Sequence, residues 1–177
     1  EIRWFYQFGA HHLFPDHWES FIEPIPQNER NDLVSAYYRK LTNKDPKIQM
    51  KAAHAWSGWE GKTIKLIEDP STVAGFTEDH TALSIARIEC HYFNHNCFFN
   101  SDNQLIENIE RIRKIPAQLV HGRYDVVTPF KNAWDLHRAW PESELKLIPD
   151  SGHASNEPGI IDALIDATEK FKSVEYE

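Results

Sequence analysis

Hydrophobic positions in the first two thirds of the chain recur at helical spacing. One apolar series fits a single helix face, and Asn31 or Asp32 can cap its start. This series consists of Leu33, Val34, Tyr37, Tyr38 and Leu41. A second helix is predicted to begin with Asp45 as its N-cap and Pro46 in its first turn. Its apolar stripe consists of Ile48, Ala52, Ala55, Trp56 and Trp59. A third helix is predicted over residues 80–96, and no convincing strand alternation occurs in this part of the chain.

After Pro116 the pattern changes to short apolar runs that alternate with amphipathic segments. The runs predict strands in AQLVHG and ELKLIPDSG, and the amphipathic segments predict helices in FKNAWDLHRAW and EPGIIDALIDATEKF. This order indicates a parallel sheet edge with right-handed crossovers. Because two strands do not make a stable sheet layer, we expect the neighbouring strands to come from another segment.

Composition and charge indicate a globular protein and argue against some kinds of partner. A chain of 177 residues with 41% hydrophobic residues can bury an ordinary globular core. The formal net charge is −8 and the basic residues are not clustered, which argues against nucleic acid or an anionic membrane as a partner. No apolar run is long enough to span a bilayer, and Cys90 and Cys97 are too few for a disulfide framework. We therefore expect a cytoplasmic protein. The abrupt start inside an aromatic stretch, without Met, suggests a piece of something longer.

Two residues with the chemistry of a catalytic pair follow the two predicted strands. Asp125 comes after the first strand and His153 after the second. In open parallel sheets, functional side chains gather at the carboxyl ends of the strands, so both should lie at one edge. A carboxylate there can fix the tautomer of an imidazole and stabilise the imidazolium. From spacing alone, a turn-forming Asp and a solvated His remain an alternative.

Several sequence blocks resemble the prolyl aminopeptidases, also called proline iminopeptidases. HGRYDVVTP, NAWDLHRAWPESELKLIPDSGH and EPGIIDALIDATEKF resemble the C-terminal part of these serine peptidases. WFYQFGAHHLFPDHWE, KAAHAWSGWEG and ARIECHYFNHNCFF resemble their helical cap. The resemblance implies an α/β-hydrolase fold, with a cap in residues 1–112 and the last two strands and helices of the core in residues 113–177.

The resemblance also implies roles for individual residues. Asp125 and His153 match the acid and the base of the catalytic triad. The nucleophile of the family is a Ser in a G-x-S-x-G turn, and this sequence has no such motif. We therefore expect the Ser on an N-terminal part of the same enzyme, and we expect this chain alone to be inactive. The implied activity is release of N-terminal proline from peptides, without a cofactor.

The cap blocks imply a site for the substrate amine. Glu60 in WSGWEG and Glu89 in ARIECHYF match the cap glutamates that bind the amino group in this family. Taken without the resemblance, each would more often be a solvated helix residue. Three aromatic residues near the N-terminus resemble the wall of the proline pocket, although core packing explains them nearly as well, and among them we select Tyr6.

Two other functions and a metal site are alternatives to this interpretation. Another cap-bearing α/β-hydrolase, such as an esterase or epoxide hydrolase, could use the same acid and base. A non-catalytic binding module could keep the fold without a nucleophile. His91, His95 and Cys97 lie close in sequence, but a structural zinc needs four ligands, so we predict no metal.

Overall fold

The computed structural model describes residues 1–172, and the chain packs as two compact units. Unit 1 is Glu1–Phe99, and unit 2 begins at Asn100. The sequence prediction divides the chain later, after residue 112. The difference arises because the short helical turns between Asn100 and residue 112 pack with the second unit. The last five residues of the predicted core segment, 173–177, lie outside the described residues.

Unit 1 is built from helices. They span Ile2–Tyr6 (α1), Pro15–Ile22 (α2), Leu33–Leu41 (α3), Pro46–Thr63 (α4), Pro70–Phe76 (α5) and Asp79–Asn94 (α6). Short 3₁₀ turns occur at Ala10–His12, Gln27–Glu29 and Asn96–Phe98. Residues 1–99, all of which are described, form no β-strand, which confirms the helical interpretation of this part of the sequence.

The predicted starts of two helices are confirmed by their capping hydrogen bonds. The Asp32 side chain accepts a hydrogen bond from the backbone N–H of Ser35 at the start of α3. Asp45 accepts one from Lys47 at the start of α4, where Pro46 occupies the first turn. Each bond satisfies a backbone donor that has no partner within its helix, which fixes where the helix begins.

Large aromatic side chains fill the core of unit 1. Phe21, Tyr37 and Trp56 are fully buried, and Phe21 stacks on Tyr37 with ring centroids 4.8 Å apart. Of the predicted α4 stripe, Ala52, Trp56 and Trp59 are buried, and Ala55 is partly buried. Ile48, the first residue of that stripe, is 38% exposed. The first turn of α4, which contains Ile48, lies at the surface.

Helix α6 ends two residues before the predicted end because the backbone turns left-handed. Asn96, Cys97 and Phe98 have φ values of 49°, 52° and 59°. Residues with a Cβ atom adopt this region at a cost of roughly 1–2 kcal/mol each, and only glycine adopts it freely. The HNCF stretch therefore carries backbone strain at the end of α6.

Replacing Cys97 with Gly is expected to stabilise unit 1 by about 1 kcal/mol, because glycine removes the steric cost of this conformation. Chemical denaturation followed by tryptophan fluorescence would measure the gain. Cys97→Ala is the matched control, since it removes the sulfur but keeps Cβ. An equal gain from both variants would contradict backbone strain as the cause.

Unit 2 combines helices with a small parallel sheet. Its elements are Gln104–Glu107 (α7), a 3₁₀ turn at Ile109–Arg111, Gln118–Gly122 (β1), Lys131–Ala139 (α8), Glu144–Ile148 (β2) and Pro158–Phe171 (α9). The strands β1 and β2 pair in parallel, with Gln118 opposite Glu144 and Gly122 opposite Ile148. The predicted order of strand, helix, strand and helix is confirmed, and the described chain is a mixed α/β structure.

The core of unit 2 lies where α9 packs against the sheet. Ile148 of β2 contacts Ile160 and Ala163 of α9, and Val120 of β1 packs against this cluster. Large apolar side chains elsewhere in the unit remain exposed, including Trp134 at 47% and Ile165 at 55%. Within residues 1–172, no helix combines the length and apolar character needed to cross a membrane.

Candidate active site

The two strands of unit 2 end at one edge, and their loops run close together. Beyond the paired ends, the N–H of Arg123 donates to the carbonyl of Ile148 at 2.8 Å, and the N–H of Tyr124 donates to Ser151 at 3.0 Å. A Cβ atom on Gly122 would lie only 1.9 Å from the carbonyl oxygen of Gly152. Glycine at position 122 therefore allows the loop after β2 to lie directly against the loop after β1.

Asp125 is held in the loop after β1 by four hydrogen bonds. Its Oδ1 accepts the backbone N–H groups of Val127 at 3.0 Å and Thr128 at 2.8 Å. Its Oδ2 accepts the hydroxyl of Thr128 at 2.8 Å and lies 2.8 Å from Nδ1 of His153. The Asp125 side chain is 4% exposed. These bonds orient the carboxylate so that Oδ2 faces the imidazole.

The hydrogen bonds also decide the charge of Asp125. Burial by itself would raise the pKa of this carboxyl, but the hydrogen bond and charge of His153 and the bonds from Thr128 outweigh burial. The pKa of Asp125 is therefore lowered, and the group is a carboxylate at neutral pH. A carboxylate oxygen only accepts, so the bond to Nδ1 of His153 needs a hydrogen on Nδ1. In the neutral ring, the lone pair is then on Nε2, as a general base requires.

The loop that carries His153 has its own support. The backbone N–H of Gly152 donates to Oε1 of Glu157 at 2.8 Å, and Glu157 is buried. Neither Glu157 nor Thr128 was predicted from the sequence. For Thr128 a partial signal was present, because an Asp side chain in a turn commonly accepts the backbone N–H groups of the residues that follow.

The other three predicted residues form a cluster inside unit 1. Tyr6 is 3% exposed, and its hydroxyl donates to Oε1 of Glu60, which is 5% exposed. The Tyr6 ring stacks on Trp56 with centroids 4.2 Å apart. The indole N–H of Trp56 donates to Oε2 of Glu89 at 2.9 Å. Each of the two stacked aromatic residues thus binds one carboxyl group, Tyr6 through its hydroxyl and Trp56 through its indole N–H. Sequence reasoning did not place Trp56 in this cluster.

The electrostatics of this cluster favour a positive ligand. Burial, and then repulsion from Glu89, raises the pKa of Glu60 to about 8, although the hydrogen bond from Tyr6 opposes the rise. Burial and the two nearby carboxyls also raise the pKa of Tyr6 well above its usual value, so Tyr6 stays a neutral donor. A cation placed between Glu60 and Glu89 would relieve their repulsion and stabilise both as carboxylates.

The structure thus brings together the predicted residues within each unit: Asp125 with His153 in unit 2, and Tyr6 with Glu60 and Glu89 in unit 1. A groove of about 620 Å³ also lies between α3 and α6. It is lined by residues such as Tyr38, Arg87 and His91 and includes none of the five predicted residues. Volume alone does not make a site, so the two polar clusters, each within its own unit, are the candidate functional sites. Among residues 1–172, no group of three or more His, Cys, Asp or Glu side chains is arranged to hold a metal ion.

The sequence is similar to several curated proteins named proline iminopeptidases. No family model matches the sequence. A probable proline iminopeptidase from Leptolyngbya boryana is 57% identical over 171 residues, which cover 97% of this chain and 53% of that protein. A proline iminopeptidase from Xylella fastidiosa is 52% identical, covering 97% of the chain and 55% of the relative. One from Arabidopsis thaliana is 48% identical over 175 residues, covering 98% of the chain and 46% of the relative.

These similarities confirm the resemblance that the sequence motifs predicted, and they define its extent. The chain spans about half the length of the curated relatives it matches. At 48–57% identity over nearly all of its own length, the chain is a homologue of the proline iminopeptidases across the part of them that it spans.

Proposed function

We propose that this chain is part of a serine aminopeptidase that releases N-terminal proline from peptides. The observation that carries the proposal is the 2.8 Å contact between Nδ1 of His153 and Oδ2 of Asp125 at the shared edge of β1 and β2. The similarity to proteins named proline iminopeptidases supports the same reaction. The whole protein would be a soluble enzyme acting on peptides, and its reaction needs no cofactor.

The proposed fold of the whole enzyme is the α/β-hydrolase fold. Here β1, α8, β2 and α9 would be its last strands and helices, and unit 1 would be its helical cap. In the described residues, the sheet has two strands, fewer than an independently stable layer needs. Exposed apolar side chains such as Trp134 and Ile165 also favour further covering by the rest of the protein.

The nucleophile would be a Ser outside residues 1–177. The sequence contains no G-x-S-x-G motif, and the length of the relatives leaves room for one elsewhere. The donors that stabilise the oxyanion would belong to the same missing part. Turnover of a proline arylamide by residues 1–177 alone, blocked by a serine-directed inhibitor, would contradict this part of the proposal.

In the proposed mechanism, Nε2 of His153 takes the proton of the serine hydroxyl as the serine attacks the substrate carbonyl. Asp125 keeps the other hydrogen on Nδ1 and stabilises the imidazolium that forms. The imidazolium then gives its proton to the leaving amine, and a water molecule releases the proline by the same route. Thr128 and Glu157 would position the two groups, because each anchors the loop of one of them.

Selectivity would come from the carboxyl pair of unit 1. An N-terminal proline carries a secondary ammonium with two N–H donors, which Glu60 and Glu89 would accept as charge-assisted hydrogen bonds. The binding of this cation would draw Glu60 into its charged form. The Tyr6 ring would form an apolar wall for the proline ring, while Tyr6 and the buried Trp56 hold the carboxyl groups in place.

Glu60→Gln and Glu89→Gln in the full-length protein test this assignment. We expect each to lower kcat/KM for a proline arylamide by about 10- to 100-fold, since a hydrogen bond to a charged group is lost. Hydrolysis of a neutral ester should change little, because it brings no ammonium. Glu19→Gln makes the same charge change at an exposed position and serves as the control. Equal losses on both substrates would favour an esterase or a related hydrolase instead.

A further inference from the structure

A second imidazole lies beside the carboxylate of Asp125. His121, on β1, places its Nε2 3.5 Å from Oδ2 of Asp125, and its side chain is 13% exposed. The same oxygen lies 2.8 Å from Nδ1 of His153. Two histidines from different strands or loops therefore approach one carboxylate oxygen, and the proposed mechanism uses only His153.

The hydrogen bonding of the His121 ring determines the tautomer of its neutral form. Its Nδ1 lies 2.9 Å from the carbonyl oxygen of Gly122. A carbonyl oxygen only accepts, so this bond needs a hydrogen on Nδ1. The ring is also held by an edge-on contact with Phe130, with centroids 5.7 Å apart. In its neutral form, His121 therefore turns the lone pair of Nε2 toward the negative oxygen of Asp125.

A second proton on His121 would change this contact from repulsive to attractive. With a hydrogen on Nε2, the ring becomes a cation beside the carboxylate. Asp125 would then neutralise two imidazolium ions if His153 were also protonated. One carboxylate neutralises only one of the two positive charges. Protonation of either histidine must therefore lower the proton affinity of the other.

We propose that protonation of His121 on Nε2 opposes protonation of His153 through the Asp125 carboxylate oxygen that both rings approach. The catalytic meaning rests on the proposed function, whereas the coupling between the two rings does not. The charge of His121 would disfavour the imidazolium of His153 in the free enzyme. His153 would then stay neutral, and able to accept a proton from the serine, at lower pH.

The other charged groups around this cluster do not replace His121. The Arg123 guanidinium lies over the Phe130 ring, 4.6 Å from its centroid, and the same ring contacts His121. Thr128 contacts both Asp125 and His153 but carries no charge. The titratable and charged groups near His121 therefore include Asp125, His153 and, across Phe130, Arg123.

A lower limit for the expected shift in the titration of His153 follows from the geometry. The two imidazole nitrogens lie 3.5 and 2.8 Å from the same oxygen, so they are separated by roughly 6 Å at most. Even in a water-like dielectric, a unit charge at roughly this distance shifts a titration by about half a pH unit, and partial burial enlarges the effect.

The test is a side-chain NMR titration of histidine in the full-length protein labelled with ¹⁵N and ¹³C in its histidines. In His121→Phe, the pH at which His153 is half protonated should rise by about half a pH unit or more. Phenylalanine keeps the ring that packs on Phe130. His121→Asn is a second variant without that ring, and the same rise is expected from it. His137→Phe removes an imidazole that bonds to Ser143 in the same unit and should leave His153 unchanged.

Each other outcome overturns the coupling. No change in the titration of His153 would mean that His121 carries no charge in that pH range. A fall would mean that His121 only holds Asp125 in place, since a displaced carboxylate stabilises the imidazolium less. The titration does not require turnover, so a failure of this proposal is distinguishable from a failure of the proposed aminopeptidase activity.

Discussion

Replacing Asp125 with Asn in the full-length protein is expected to lower kcat for a proline arylamide by about 10,000-fold. The Asn oxygen can still accept the backbone N–H groups of Val127 and Thr128, as Oδ1 of Asp125 does. Its NH₂ group then faces Nδ1 of His153, where a carboxylate oxygen now accepts at 2.8 Å. Two donors cannot share that contact, so the imidazole must place its hydrogen on Nε2. The lone pair that would deprotonate the serine is then lost.

Two controls separate this effect from misfolding and from loss of charge. Asp135→Asn removes a partly exposed carboxylate from α8 of the same unit, where it pairs with Lys131, and should leave kcat unchanged. The circular dichroism spectrum of Asp125→Asn should match that of the parent, because the loop keeps its backbone bonds. A loss smaller than about tenfold in a folded Asp125→Asn protein would rule out Asp125 as the residue that orients the base.

The second large effect concerns stability, because Glu60 makes unit 1 sensitive to pH. The pKa of Glu60 rises from about 4.5 to about 8 in the folded protein, first because of burial and then because of Glu89. The folded state therefore holds a proton that the unfolded state has lost over this interval. The free energy of unfolding should fall as the pH rises from 5 to 8, by an amount on the order of a few kcal/mol.

Glu60→Gln should remove most of this slope, since glutamine stays neutral at every pH. At pH 8 the variant should be more stable than the parent, and near pH 4 the two should be similar. Urea denaturation at several pH values, followed by tryptophan fluorescence, measures the slope. Glu19→Gln, which removes an exposed carboxyl, should keep the slope of the parent. An unchanged slope in Glu60→Gln would show that another group dominates the pH dependence.

Much of the local structure could be predicted because its signals lie within a few residues. The starts of α3 and α4 follow from Asp32 and Asp45, whose side chains bond to backbone groups in the next turn. Each strand and helix of unit 2 has its own hydrophobic period, so the order of elements was predictable. Asp125 and His153 could be paired because the ends of parallel strands meet at one edge.

Features that depend on contacts between distant segments could not be predicted in this way. His121 and Thr128 reach Asp125 only because of how the loop after β1 folds, and the apolar run that predicts β1 does not reveal that path. Trp56 was predicted on the apolar stripe of α4 and is buried, but its hydrogen bond to Glu89 joins α4 to α6. Ile48 fits the period of α4 and is exposed nevertheless, since periodicity does not tell how far the neighbouring helices extend.

The stacked pair of Tyr6 and Trp56 determines how the carboxyl groups of Glu60 and Glu89 can respond to their mutual repulsion. Two flexible carboxylate side chains would move apart. Here the hydrogen bonds from Tyr6 to Glu60 and from Trp56 to Glu89 prevent this movement, because the two aromatic rings are buried and stacked on each other. The pair can therefore reduce its repulsion mainly by taking up a proton or by accepting a cation. A ligand ammonium and a solvent proton thus compete for the same charge. In such a pocket, affinity for the ammonium should increase with pH until the amine itself loses its charge.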